Sequence, residues 1–516
     1  MVQATNEQVL TAEAIAVASS VSFGVEGSGS FAAAGASSRI TTANSITAGL
    51  YAGTGLTSTL QGAAGNAISV QSTDSAKINS TVGSAAAAFS ISPIPVGSSL
   101  GISISEITNN NVSQYLINSA TISTAGGDIL VQTTGSNNHS SKSVATSLTD
   151  GLGVAGAGGN SNIYDYAKFT ASVEGATSIN TTLVGTGSNP PVVGDLSVLA
   201  NSKETILAEV FGGAADLGIG SVGVFISNAT RSGATQANLV TEGLISVGNL
   251  NVNATTDQTI TSDGMSVTIG LLAGSGETYN LVVDEQVGVS LSGSTTSALN
   301  LTADSATFQI ENDLSYETST NSIYATLIGG SGATATNNST PTQTMTLGQG
   351  TVIATTGSVV LSSVGTMLGA GGGDSSNASG FMANVGGGGA IGGFGALSTS
   401  NMTSTSTITL DDDVSIVAKD KGDIQIAAQS DWSINQFTHM STGSIVSGDG
   451  IASNIESKLG TAIQIGEGVQ LKALEGQVEI GTLFAALPRR IPIRARSGWR
   501  VGCLEMSTIK PPPRNR

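Results

Sequence analysis

The sequence is poor in the charged and aromatic residues on which most catalytic and nucleic-acid-binding surfaces depend. Charged residues make up 10% of its 516 residues and aromatic residues 4%. Lysine and arginine number 18 against 36 aspartates and glutamates, which gives a formal net charge of −18. Because nucleic-acid binding requires clustered lysine and arginine, this balance argues against a nucleic-acid partner. Cys503 is the single cysteine, which excludes an intrachain disulfide and a cysteine-rich metal site.

Membrane and export signals are also scarce. The most apolar window, residues 383–397, is mostly glycine and too short to be a transmembrane helix. Residues 1–10 are polar and lack the basic start and apolar run of a signal peptide. Since strand-like alternation is already present by residue 13, we interpret the chain as a fragment of a longer protein or as one with a mis-assigned start.

A short motif recurs along the chain and gives it its organisation. Its clearest copy is residues 422–426, a glycine and an aspartate followed by Ile, Gln and Ile. This order predicts a tight turn and then a short strand with one buried side. Eight copies of this landmark motif end at residues 70, 131, 198, 252, 301, 361, 426 and 480. A motif that returns every 49–67 residues is typical of repeat proteins, so we predict about eight degenerate repeats.

Alternating apolar and polar residues between the landmark motifs predict half-buried strands. Near the start, Ile15, Val17, Val21 and Phe23 share one face, and we expect this face to point inward. A change of phase near Ser221 predicts a β-bulge. Similar alternation returns at residues 102–104, 217–219, 222–226 and 265–271.

Glycine, with 68 residues, is concentrated between the landmark motifs. Because it falls at a similar place in successive copies, we expect close backbone approach or tight corners there, with flexible linkers as the alternative. The glycine-rich stretches are Gly151–Gly159, Gly212–Gly223, Gly270–Gly276, Gly329–Gly332, Gly369–Gly373 and Gly386–Gly395.

These patterns predict an all-β protein and, specifically, an elongated parallel β-solenoid, also called a β-helix, over residues 1–483. A helical fold is disfavoured because Thr, Ser, Asn, Gly and Val are indifferent or poor helix formers. We expect each repeat to wind about three coils of roughly 20 residues. With coils about 4.8 Å apart, the rod would be on the order of 110 Å long.

Residues 484–516 have a different composition from the rest of the chain. They contain eight of the 18 basic residues, together with Trp499, Cys503 and the run Pro511–Pro513. We interpret this segment as a disordered or artefactual tail without function. The alternative is a basic tail that docks on an acidic surface.

The landmark motifs, the glycine-rich alternating strands and the Thr/Asn-rich returns together resemble the repeats of leukotoxin-type and filamentous-haemagglutinin-like large bacterial adhesins. The resemblance covers about residues 13–483. It implies a long β-helix on the outside of a Gram-negative cell that attaches to cells, surfaces or other bacteria. This chain lacks the secretion domain and the membrane-anchoring barrel of that family, so the resemblance implies no export route.

No residue of the sequence is predicted to be catalytic, cofactor-binding or metal-ligating. His139 and His439 both lie in polar surroundings, and we expect them to be exposed and without a role. The run Asp411–Asp413 could offer calcium some oxygen ligands, but a solvated turn is the favoured interpretation. Residues 371–374 resemble one calcium-binding β-roll repeat, which does not continue every nine residues and is therefore rejected.

Two functions remain open. The first is a structural and adhesive segment of a secreted or cell-surface protein, outside the cell, which binds host-cell or surface glycans or proteins, or other bacterial cells. The second is a β-helical carbohydrate-active enzyme, which would require clustered carboxylates on one exposed face. A passive spacer in a giant surface protein is a third possibility that the sequence does not separate from adhesion.

Overall fold

The computed structural model describes residues 1–52, 56–58, 66–119, 121–183, 192–293, 299–369, 381–434 and 436–484. These residues form strands and turns and contain no helix, so none of them could cross a bilayer as a helix. The all-β prediction is confirmed. The tail at residues 485–516 and the motif at residues 371–374 lie outside the described residues.

The strands follow one another with short connections. The first thirteen are β1 (Val2–Phe23), β2 (Ser28–Thr42), β3 (Ser45–Ala52), β4 (Leu56–Ser58), β5 (Asn66–Ile91), β6 (Pro95–Asn109), β7 (Val112–Ser119), β8 (Thr121–Thr124), β9 (Asp128–Thr149), β10 (Val154–Asp165), β11 (Lys168–Asn180), β12 (Thr182–Leu183) and β13 (Val192–Val193). The others are β14 (Leu196–Asp216), β15 (Gly220–Arg231), β16 (Ala234–Ser246), β17 (Asn249–Val283), β18 (Gln286–Ser292), β19 (Leu299–Ala303), β20 (Ser305–Ser339), β21 (Thr342–Leu347), β22 (Val352–Thr355), β23 (Val359–Gly369), β24 (Phe381–Leu410), β25 (Ser415–Ala418), β26 (Ile424–Ser433), β27 (Gln436–Ile465), β28 (Gln470–Ala473) and β29 (Val478–Phe484).

Successive coils of the chain pair in parallel along three faces, which is a solenoid-like architecture. On the first face, β1 pairs with β5, β5 with β9, β9 with β14 and β14 with β17. On the second face, β2, β6, β10 and β15 pair in the same order, followed by the later parts of β17, β20, β24 and β27. The third face begins with β3, β7, β11 and β16.

Each coil is much longer than the sequence analysis predicts. The pairing on the first face brings one residue of each coil into a single row: Val2, Val70, Val131, Val198, Val252, Phe308, Leu361, Ile426 and Ile480. Neighbours in this row are 53–68 residues apart in sequence, so one coil takes that many residues and the expected three coils of 20 are wrong. Eight spacings of about 4.8 Å make the stack about 38 Å high, not 110 Å.

One of the eight landmark motifs does not belong to this row. Leu301 lies in β19 on the third face, where it pairs with Ile245 and Ile353. The row position of that coil is occupied by Phe308, which follows Ser305, Ala306 and Thr307. The sequence places an apolar alternation at both sites, and only the pairing distinguishes them.

The core is thick at one end of the coil and thin at the other. Between the landmark motifs of the first face and the strands of the third face, the inward side chains are Val, Leu and Ile, such as Val198, Ile179 and Ile245. Each of these contributes about 1.5–3 kcal/mol by burial. Between the later part of the first face and the second face, the inward side chains are small, such as Ala86 and Ala88.

This thin layer reverses the predicted orientation of the first strand. Ile15, Val17, Val21 and Phe23 point outward and are 55–75% exposed, whereas the residues between them point inward. Large side chains do not fit between two sheets that approach over alanine and serine. The alternation was therefore correctly recognised, but its buried side was assigned wrongly.

The change of phase near Ser221 is a corner and not a β-bulge. β14 ends at Asp216 and β15 begins at Gly220, and Ser221 pairs in unbroken register with its partners in β10 and β17. The backbone amides of Gly218 and Gly220 donate hydrogen bonds to the Asp216 carboxylate, which holds the corner.

Several glycines make close packing possible, as the sequence analysis predicts. A Cβ at Gly212 would lie 2.1 Å from the Ala145 carbonyl oxygen and 2.4 Å from Cε1 of Phe225. A Cβ at Gly387 would lie 2.6 Å from Cε1 of Tyr324. These glycines leave room for aromatic rings inside the thin layer.

Substitution of Gly212 by alanine should destabilise the fold by about 1–3 kcal/mol, because the backbone of Ala145 must move. The matched control is Gly83→Ala on the same face, where the nearest atom to the new Cβ is 3.8 Å away. The Gly83→Ala variant should be as stable as the wild type or more stable by up to about 1 kcal/mol. Urea unfolding followed by circular dichroism measures both; equal midpoints for the two variants would contradict the packing role of Gly212.

Candidate functional site

The two histidines do not form a site together, and one prediction about them is wrong. His139 is fully buried in β9, where its Nε2 lies 3.0 Å from Nδ2 of Asn109 and 3.5 Å from Oδ2 of Asp165. His439 is exposed in β27, with its Nδ1 3.0 Å from Oδ1 of Asn384. The inward phase of the strand, and not the polar sequence around it, decides the position of His139.

The run Asp411–Asp413 forms an exposed turn, as predicted. Asp412 accepts a hydrogen bond of 2.7 Å from the backbone N–H of Glu467 in the next coil. Asp413 has a φ of 59°, a left-handed conformation that aspartate tolerates in turns. Across the described ranges, no group of three or more His, Cys, Asp or Glu side chains could hold a metal ion.

A buried cluster of charged side chains lies where the three faces meet, and the sequence analysis missed it. Arg231, the last residue of β15, has its Nη2 3.0 Å from Oε2 of Glu285 and its Nη1 3.6 Å from Oδ1 of Asp165. Its Nε contacts Oε2 of Glu204. Its Nη1 also donates a hydrogen bond of 2.9 Å to the carbonyl oxygen of Ala167. All four charged side chains are at most 1% exposed.

The cluster extends to neighbouring coils through polar side chains. Nδ2 of Asn109 donates to Oδ1 of Asp165 over 3.0 Å, and the backbone N–H of Ala167 donates to the same oxygen over 3.0 Å. The Thr235 hydroxyl donates to Oε1 of Glu285 over 3.3 Å. These bonds connect β6, β10 and β16, so the cluster spans several coils of the stack.

The cluster holds more carboxylates than cations, which changes its protonation. Burial raises the pKa of Glu204 well above its ordinary value, and Arg231 only partly opposes this shift. Burial likewise raises the pKa of Glu285 against the effect of Arg231. Burial alone would also raise the pKa of Asp165, but the effects of Arg231 and His139 are larger together and lower this pKa. One guanidinium therefore serves three buried carboxyl groups, and it counters the effect of burial most fully at Asp165.

This arrangement supports the fold and offers no access to a substrate. Each charged group is enclosed by the stack, and the Arg231 guanidinium lies within ion-pair distance of all three carboxyl groups. A signal for it exists in the sequence: Arg231 and Glu204 stand at inward positions of alternating strands, where a charged residue requires a partner. Glu285 lies in the short connection between β17 and β18, which carries no such signal.

A second buried carboxyl group lies in the thin layer. Glu277 points inward from β17 beside Ser266 and Tyr279 and is 2% exposed. Burial raises the pKa of Glu277 to about 8, although hydrogen bonds from Ser266 oppose the shift. Glu277 is therefore neutral at physiological pH.

One surface groove lies outside the ion cluster. It has a volume of about 400 Å³, and its lining includes Tyr166, Lys168, Ser232 and Asp284. Asp284 is the one carboxylate among its lining residues. Glycoside hydrolysis ordinarily uses two carboxyl groups on either side of the bond, so the groove does not match that arrangement.

Four neighbouring outward rows of the second face carry no charged side chain, although the next row holds the ion pair of Arg39 and Glu106. These rows run through eight coils, and the charged residues in their ranges, Glu277 and Asp449, occupy the alternate positions; Glu277 is buried, whereas Asp449, in the last of the eight coils, is exposed. We call these rows the uncharged face. It consists of the outward residues of ranges 31–37, 98–104, 154–160, 220–226, 272–278, 328–334, 391–397 and 446–452.

The outward rows of the first face are polar and charged. One row contains Thr5, Thr73, Thr134, Asn201 and Thr255, in consecutive coils. Other rows carry ion pairs between coils, such as Lys203 with Asp257. The two outer faces of the stack therefore differ sharply in chemistry.

No family model, curated protein or solved structure matches this chain. Functional inference therefore rests on the geometry of the described residues.

Substitution of Arg231 by methionine should destabilise the protein by about 3–5 kcal/mol, because buried carboxyl groups lose their cation. The control is Arg39→Met, which removes an exposed ion pair with Glu106 and should cost less than about 1 kcal/mol. Chemical denaturation at neutral pH gives both values. A cost for Arg231→Met no greater than that for Arg39→Met would contradict the role of the cluster.

Stability should fall as pH rises from about 5 to 7. The folded state keeps Glu277 protonated, whereas the unfolded chain loses this proton above a pKa of 4.5, so stability is highest below that value. Glu277 alone should account for roughly 2–3 kcal/mol of loss over this range. The Glu277→Gln variant, which stays neutral, should show a correspondingly flatter pH dependence. Unfolding midpoints at several pH values test this, and identical slopes for both proteins would refute it.

Proposed function

We propose that this chain is a structural and adhesive segment of a secreted or cell-surface protein. The observation that carries the proposal is the in-register stacking of outward polar groups on the first face. The Thr5, Thr73, Thr134, Asn201 and Thr255 row repeats a neutral hydrogen-bonding side chain in five consecutive coils, about 4.8 Å apart.

Such a row suits a partner that also repeats. A glycan chain presents hydroxyl groups at regular intervals, so several weak hydrogen bonds can form along one polymer and act together. Host-cell or surface glycans, glycoproteins and the surfaces of other bacteria are the partners that this chemistry favours. The resemblance to filamentous bacterial adhesins, with its extracellular location, agrees with the proposal.

Binding should depend on the length of the ligand. We expect a polymeric glycan to compete with surface binding at a concentration at least about 100-fold below that of its monosaccharide. Competition measured with the full chain on immobilised glycans tests this. Release of reducing or unsaturated sugars from the polymer would instead indicate a carbohydrate-active enzyme, and an absence of saturable binding would leave a spacer.

The threonine row can be tested directly. The variant Thr73→Val/Thr134→Val/Thr255→Val keeps the side-chain shapes, removes three outward hydroxyls and should weaken glycan binding at least about tenfold. Thr302→Val/Thr344→Val, on outward positions of the third face, is the control and should bind as the wild type does. Equal affinity of both variants would contradict a role for the row.

A further inference from the structure

The glycine half of the uncharged face has no explanation within the chain. Its central two rows carry glycine in four successive coils: Gly274 and Gly276, Gly330 and Gly332, Gly393 and Gly395, and Gly448 and Gly450. Except at Gly330, an added Cβ would have no atom closer than 3.7 Å. The fold would therefore accept larger residues at seven of these eight positions.

Glycine in a strand is costly, by roughly 0.5–1 kcal/mol relative to alanine. A strand glycine without an internal steric reason commonly marks a place where another backbone or a ligand approaches closely. The bare backbone of these two rows therefore indicates a partner that lies flat against this half of the face.

The other half of the same two rows has the complementary relief. Leu100 and Ile102 in β6, and Val222 and Val224 in β15, point outward and are 40–52% exposed. Between them in the stack lie the glycines of β10. In these two central rows, one half of the face thus projects aliphatic side chains and the other half offers space above the backbone. The edge row of the glycine half also carries exposed aliphatic residues: Leu272, Ile328, Ile391 and Val446.

We propose that the uncharged face is the interface of a homodimer, in which the aliphatic half of each copy lies on the glycine half of the other. A two-fold axis that lies in the interface, parallel to the strands and between the fourth and fifth coils, places each half opposite its complement. The same surface of both copies therefore forms the contact. Because both copies have the same coil spacing of about 4.8 Å, their coils stay aligned with each other over the whole contact.

The size and charge of the face suit this partner. Seven residues along each strand and eight coils cover about 23 by 38 Å, or about 900 Å², and a stable interface buries about 800 Å² on each partner. Two copies with a net charge of −18 repel each other. The first face, with groups such as Asp257 and Asp313, would add to this repulsion, whereas the uncharged face would not.

The first test places charges on the glycine half. The wild-type chain should run as a dimer in size-exclusion chromatography with light scattering, and Gly332→Lys/Gly395→Lys should raise the dimer dissociation constant at least about 100-fold. Because the new Cβ atoms meet nothing closer than 3.9 Å, the melting temperature of the monomer should be retained. Gly481→Lys, at an equally open glycine of β29, is the control and should remain dimeric.

The second test asks whether the two halves face each other. Ile102→Asp/Val224→Asp should also be monomeric alone, because the aspartates lose water without gaining a partner. Mixed with Gly276→Lys/Gly395→Lys, it should form a heterodimer, because the two-fold axis places the fourth coil opposite the fifth and the second opposite the seventh. The lysines of one chain then face the aspartates of the other. A failure of the mixture to associate, with both chains folded, would overturn the proposed arrangement.

A monomeric wild type at all accessible concentrations would overturn the homodimer. Dimers that persist in all of the charged double variants would also overturn it. Co-sedimentation of a monomeric wild type with phosphatidylcholine vesicles, abolished by Gly332→Lys/Gly395→Lys, would assign the face to a lipid surface. None of these results depends on glycan binding, so they leave the proposed adhesive function to its own experiments.

Discussion

The parallel register between successive coils is the constraint on which the rest of the structure depends. Once β1, β5, β9 and β14 pair residue by residue, every inward side chain stacks on its equivalent and every outward one joins a row. The backbone hydrogen bonds fix the spacing, and the side chains decide only which face a row belongs to. Core, ion cluster and both outer faces are consequences of this one alignment.

Sequence patterns predicted the strands well and their orientation only in part. The landmark motif correctly placed Val70, Val131 and Val198 in the core, because a turn glycine before an alternating pair leaves little choice. At Ile15 and Phe23 the same reasoning failed. Alternation states that two sides differ, but the distance to the opposite sheet decides which side is inside, and that distance comes from residues far along the chain.

Local sequence patterns could not predict the coil length either. A repeat of 53–68 residues can be one wide coil or several narrow ones, and only pairing between distant strands separates these cases. The ion cluster was missed for a related reason. Arg231, Glu204 and Asp165 are far apart in sequence, and nothing in the local sequence shows that their side chains meet. His139 was misassigned because its polar neighbours in sequence are themselves buried.

The position of the ion cluster has a consequence for how the stack comes apart. Coils in a solenoid are held by their nearest neighbours, so unfolding starts at the outermost coils and moves inward. Arg231 joins carboxylates from the coils before and after its own, and a coil cannot leave without exposing an unmatched buried charge. The cluster therefore acts as a clamp near the middle of the stack, at which fraying from the amino-terminal and carboxy-terminal ends should pause.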